Sequence, residues 1–225
     1  MRKGARVIDL GCGAGTWILV TDFISSLEMI SPIFPTEGLP LNVEFIECNI
    51  LDGLPYKDAS FDFIHQKFLT TAFTQAQWEE KAIPEITRLT RPDGWVEIVE
   101  GSVYLISDGN ATKRISEAAQ NFLKSKGMNI TIGEDIPRLL ENTNAFSEIK
   151  YKKKAVVLGK KGGKSGEETL RFYIAGFGSV RIVLSSNMNL MPEHYDALVE
   201  TISIEAEKTT CTTYVDQYRI CGHKK

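Results

Sequence analysis

The chain has 225 residues, 43% of them hydrophobic, enough for one sizeable α/β core rather than two independent ones. A formal net charge of −3 leaves no overall basic field, which argues against general attraction to nucleic acid or to an anionic membrane surface. Four cysteines, Cys12, Cys48, Cys211 and Cys221, form no CxxC pair and meet only three histidines, so neither a disulfide scaffold nor a zinc site is expected.

In chain order, Ala5–Leu10 reads as a strand that MRKG enters at once, with no signal-peptide core ahead of it. No later apolar run reaches the ~18 residues of a membrane span, and the expectation is a soluble, cytoplasmic or nuclear protein with reduced thiols. Val43–Glu47 and Phe61–His65 are further strands, joined by CNILDGLPYKDAS, where Gly53, Pro55 and Asp58 mark an irregular loop. Trp78, Ala82, Ile83, Ile86 and Leu89 then recur at helical spacing over residues 76–90. Arg91-Pro92-Asp93-Gly94 stops that helix before a strand at Trp95–Val99. This alternation predicts an α/β fold: a Rossmann-like, mostly parallel sheet with helices on both faces.

The second half is less regular. Residues 111–124 carry Ile115, Ala118, Ala119, Phe122 and Leu123 on one helical face, and 136–140 read as a shorter helix with Pro137 in its first turn. Phe146–Leu158 is a long strand. Lys152, Lys153, Lys154, Lys160, Lys161 and Lys164 cluster at its end, read as a solvated turn rather than a nucleic-acid surface. Helical patterns through Leu170–Phe177 and Tyr195–Ile202 precede a closing antiparallel strand, Cys211–Cys221. The expected organisation is one domain over 1–225. Its core is 1–107, 128–160 and 210–225, and helical lid segments cover about 108–127 and 161–209.

The most informative stretch is VIDLGCGAGTW, a strand running into three glycines spaced two apart and then into a helix. Such a turn presents backbone N–H groups and a positive helix end to a ligand. A dinucleotide site wants GxGxxG or GxGxxA, but the third small position falls on Thr16, followed by the bulky Trp17, and the pattern fails. With NVEFIECNILDGLPYKDASFDFIHQKF and RPDGWVEIVE behind it in order, the stretch instead resembles the class I S-adenosylmethionine-dependent methyltransferases. The combination is most similar to a fungal-type branch that includes regulators of secondary metabolism.

The resemblance implies S-adenosyl-L-methionine as cofactor and a role for each matching residue. Asp9 would receive the amino group of the methionine moiety, Gly11, Gly13 and Gly15 would let the chain pass closely beneath it, and Cys12 would offer its backbone. Asn49 would bond the adenine amine and Ile50 would pack on the ring, while His65 and Gln66 would line the cofactor near its sulfonium. Glu28 is the nearest candidate for the acid that grips the ribose, with Met29 where that acid often falls. Plainer roles stay open: Gly15 in helix packing, Ile50 in the core, His65 as a hydrogen-bonded wall residue.

The amino terminus and the first crossover look shortened against the family, so the first helix should be short or the second strand frayed. No HExxH, nucleophile elbow or P-loop is present, and no acid/base pair stands out as catalytic. An activated methyl donor needs positioning more than a base. The acceptor is expected to be a small molecule or a protein, against a wall drawn from Phe68, Phe73, Tyr104, Phe172, Tyr173 and Phe177. The alternative is a non-catalytic binding or regulatory protein that kept the fold and lost full cofactor contacts.

Overall fold

A computed structural model describes residues 4–13, 15, 17, 24–29 and 39–225, with 24–29 described by their backbone alone. The strands are β1 (Arg6–Leu10), β2 (Ile24–Met29), β3 (Val43–Glu47), β4 (Phe61–Lys67), β5 (Thr90–Gly101), β6 (Ile106–Ser107), β7 (Phe146–Val157) and β8 (Thr213–Lys224). Their order in the sheet is β3-β2-β1-β4-β5-β8-β6, with β7 paired to β8. Strands β1 to β5 pair in parallel, and β6 is antiparallel to β8. The mostly parallel Rossmann-like sheet and its late antiparallel strand are those the sequence implies. The strand order reverses between β1 and β4, which in open α/β sheets is where the crevice for a ligand opens.

Two compact units divide the chain. The first comprises Met1–Glu100, Ile132–Lys152 and Tyr218–Lys225. Its core alternates along the strands, with Ile8, Leu10, Ile64, Val96 and Ile98 buried together with Trp78, Ile83 and Ile86. The last of these lie on a broken helix. Gln75–Gln77 opens it under a Thr74 capping box, Trp78–Ala82 winds as a π-turn, and α1 (Ile83–Leu89) continues. The Ile83 N–H bonds the Trp78 carbonyl, and Pro84, which has no N–H to donate, follows at once.

Two local expectations change in this unit. Arg91–Gly94 is not a turn ahead of the strand but the bulged start of β5: Asp93 takes φ +58°, and the β4–β5 register shifts between Phe61 and Phe63. Gly94 is needed there, because a Cβ would stand 2.8 Å from the Arg91 carbonyl oxygen and 3.1 Å from that of Asp62. The expected short helix at 136–140 is α3 (Ile132–Asn142), which places Pro137 in its interior. Its start is held earlier by Asn129, whose Oδ1 accepts from the Thr131 N–H, and by Gly133, which lies against the Tyr218 ring.

Of the two alternatives for the short crossover, a short first helix or a frayed second strand, the second is not seen: β2 pairs with β1 over Arg6↔Ile24 to Leu10↔Glu28. Residues 18–23, within the stretch where the first crossover helix is expected, and the first three residues lie outside the described residues.

The second unit, Gly101–Thr131 and Lys153–Gln217, holds α2 (Asn110–Ser125), α4 (Gly163–Ser179), α5 (Arg181–Asn187) and α6 (Pro192–Glu207). Ile115, Leu170, Phe177, Leu184, Tyr195, Ile202 and Val215 form its core. α5 was not anticipated; it is joined to α6 by a two-pronged Arg181–Asp196 ion pair at 2.7 Å. Within the lysine cluster, Lys153 pairs with Asp216 at 2.9 Å and Lys161 donates to the Cys211 carbonyl at 2.6 Å. No helix among the described residues is long and apolar enough to cross a membrane.

Candidate functional site

The glycine turn follows β1 at the carboxyl edge of the sheet. Gly11, Gly13 and Gly15 take φ +67°, +58° and +73°, the left-handed region that side chains with a Cβ rarely adopt. The Gly15 N–H donates to the Cys12 carbonyl at 3.0 Å, which closes the turn on itself. A Cβ on Gly13 would meet nothing within 4 Å among the described residues, so the backbone there faces space that they leave open. At Gly11 the same Cβ would stand 2.6 Å from Cδ2 of Leu69. Cys12 is half-buried and packs with Trp17 and Phe63 against Val7.

One face of the sheet beside this turn carries a polar chain. Asp9, His65 and Glu97 are in register across β1, β4 and β5. The His65 Nδ1 is 2.7 Å from Asp9 Oδ1, and its Nε2 is 3.7 Å from Glu97 Oε2. The Trp17 ring lies flat on the imidazole, centroids 3.8 Å apart and planes within 1°. Beyond Glu97, the Arg219 Nε donates to Oε1 at 2.6 Å. Burial pushes the Asp9 carboxyl above its ordinary range, against the opposing pull of the His65 bond.

Successive residues of a strand face opposite sides, so Gln66 does not share a surface with His65. Gln66 donates through Nε2 to Glu100 Oε1 at 2.5 Å, while its own Oε1 is buried without a hydrogen-bond partner among the described residues. Glu100 also accepts from the Leu69 N–H at 2.9 Å, from the Thr70 N–H at 3.0 Å and from the Thr70 hydroxyl. Desolvation raises its carboxyl despite those four donors.

The remaining candidates lie on β2 and just after β3. Asn49 caps the 3-10 turn Ile50–Asp52: its Oδ1 accepts from the Leu51 N–H at 3.1 Å and its Nδ2 donates to Asp52 at 3.0 Å. Both ends of that amide are thus engaged locally. Ile50 is buried within the first unit's core. Glu28 lies one residue from the end of β2, opposite Leu10 and Ile46 in register, and its side chain is outside the described residues. Of the expected acceptor wall, Phe73 is packed edge-on to Trp78, and Phe177 belongs to the second unit's core.

A family model described as a methyltransferase domain matches residues 8–98, from β1 through the glycine turn to β5. Over those residues the chain is similar to a methyltransferase domain. The chain is similar to N-methyltransferase tcpN of Claviceps purpurea, 28% identical over 121 residues, which are 49% of this chain and 42% of that protein. N-methyltransferase gliN of Aspergillus fumigatus is 24% identical over 221 residues, 90% of this chain and 77% of the relative. The chain spans 42% and 55% of the length of the first two curated relatives, tcpN and methyltransferase str3 of Strobilurus tenacellus. Among solved structures, phosphoethanolamine N-methyltransferase 2 of Haemonchus contortus shares its fold, with a TM-score of 0.62 and 14% identity over all of this chain and 50% of that one.

Glu97, Glu100 and Arg219 were not singled out from the sequence, and Trp17 was read only as a misfit to a dinucleotide loop. For the two glutamates a signal existed: WVEIVE places two acids inside a central parallel strand, where apolar residues are the rule.

Proposed function

We propose that the chain binds S-adenosyl-L-methionine at the turn after β1 and transfers its methyl group to an acceptor nitrogen. The observation that carries the reading is the turn itself: alternate glycines in the left-handed region at the strand-order reversal, with space over Gly13 that the described residues leave open. These residues fit the cofactor. The bound sulfonium supplies an already activated methyl group. The residues' task is then to hold it, align it and exclude water.

In this reading the Gly11–Gly15 turn lies beneath the methionine moiety, and Glu28 reaches for the ribose from the end of β2. Asp9, paired to His65, supports the turn from within the sheet, and Asn49 shapes the adenine edge through the 3-10 turn it caps. A nitrogen acceptor is supported by the N-methyltransferase names of the similar fungal proteins. Its carrier is a small molecule or a protein, and a cytoplasmic or nuclear setting is part of the same proposal.

Calorimetric titration of the purified chain with S-adenosylmethionine and S-adenosylhomocysteine tests the reading, with micromolar binding of both expected. Gly13→Val fills the open space and adds about 1–2 kcal/mol of left-handed strain. It should weaken both ligands at least tenfold in a chain that keeps its circular dichroism. Equal affinity in a folded variant would remove the turn from the site.

A further inference from the structure

Glu100 is fully buried at the end of β5, and among the described residues its hydrogen bonds come from neutral donors alone. A carboxylate in that position is costly unless its acceptors are used. Two of the four donors are successive backbone amides, Leu69 and Thr70, on the segment that follows β4. That segment begins at Phe68 with φ +60°, a conformation uncommon for a bulky side chain and kept only where its surroundings fix it. The Phe68 N–H bonds the Val99 carbonyl at 2.9 Å, and Glu100 takes the next two amides in turn. The segment so held carries the Leu69 side chain that stands where a Cβ on Gly11 would be.

We propose that Glu100 is a positioning residue for the glycine turn: through the Leu69 and Thr70 amides it fixes the segment after β4 and seats Leu69 against Gly11. The inference rests on the cofactor reading above for its functional meaning. The geometry separates two jobs. Gln66 and Thr70 satisfy the buried carboxylate, whereas Leu69 links it to the turn that the ligand would meet. A purely structural acid would stabilise the core without affecting the turn.

Glu100→Gln keeps the shape but replaces one acceptor oxygen with an NH₂ that opposes a donor. Amide hydrogen exchange on the unliganded chain should show Leu69 and Thr70 losing protection, and Gly15, bonded within the glycine turn, exchanging at least tenfold faster, with α6 unchanged. In the same variant S-adenosylhomocysteine should bind at least tenfold more weakly. Leu69→Ala, which leaves the carboxylate satisfied, should reproduce the Gly15 and affinity changes while Thr70 stays protected, and it carries the test if Glu100→Gln does not fold. An unchanged Gly15 amide in the folded variants overturns the inference, as does unchanged affinity. Should the parent chain bind no S-adenosylhomocysteine, the cofactor reading fails, and the exchange of Gly15 alone decides the role of Glu100.

Discussion

Asp9 and His65 are each other's main partner in the interior of the sheet, and removing one leaves the other buried without it. His65→Leu keeps the bulk but leaves the buried Asp9 carboxyl without its partner. Leaving a buried acceptor without its donor costs about 1–3 kcal/mol, and more for a charged one. Asp9→Asn still offers an oxygen to the imidazole N–H, and the loss should be nearer 1 kcal/mol. Urea midpoints of the two variants rank the costs, and a similar loss from both would refute the pairing. The pH dependence has a definite sign. Burial already holds the Asp9 carboxyl high, and losing His65 removes the contact that pulls it down. The folded His65→Leu chain then binds a proton more readily than the unfolded one, so its deficit should shrink as pH falls into the raised carboxyl range. Of this site, Asp9 and the glycines were legible because a strand-to-turn motif is local. Trp17 was read only as a misfit to a dinucleotide loop, since nothing in its neighbourhood announces a stacking partner on β4.

At the level of elements, α2 owes its first turn to a residue from another helix. Its N-cap is Gly109, which has no side chain to offer, and Glu205 of α6 accepts from the Ala111 and Thr112 N–H groups at 2.9 Å and from the Thr112 hydroxyl at 2.7 Å. Any Cβ on Gly109 would collide with that carboxylate. Burial pushes Glu205 upward, but the amide bonds outweigh it and its carboxyl lies below the ordinary value. Its contribution to stability is therefore complete above the ordinary glutamate range and lost as pH falls through the lowered value. Glu205→Ala should cost about 1–2 kcal/mol near neutral pH, in keeping with lost caps. The gap to the parent should narrow below about pH 4, and thermal melts across that interval measure it. Periodicity could find α2 and α6, because each has an apolar stripe. It could not find a cap that joins them, nor the π-turn at Trp78–Ala82, where helical spacing continues through a different hydrogen-bond ladder.

For the whole molecule, the alternation of strands and helices made the parallel half of the sheet legible, because each βα step is short and right-handed connections leave few alternatives. Periodicity says less about β7 and β8, long strands whose two halves join different cores. The last eight residues belong to the first unit, far from it in sequence: Tyr218 and Ile220 are buried in its core, Arg219 pairs with Glu97, and Lys224 Nζ donates to the Thr87 and Thr90 carbonyls at 2.7 and 2.6 Å. A chain ending at Gln217 should therefore lose more than an edge. Burial of each large side chain is worth about 1.5–3 kcal/mol, and Glu97 would lose its arginine as well. Together these losses approach the whole margin of about 5–15 kcal/mol that holds a domain folded. The truncated chain should show no cooperative thermal transition, while Ile220→Ala, costing about 2–5 kcal/mol, should keep a transition at a lower midpoint. A sharp melt from the truncated chain would mean that β5 is stable as an edge, and that the final strand is dispensable to the unit carrying the glycine turn.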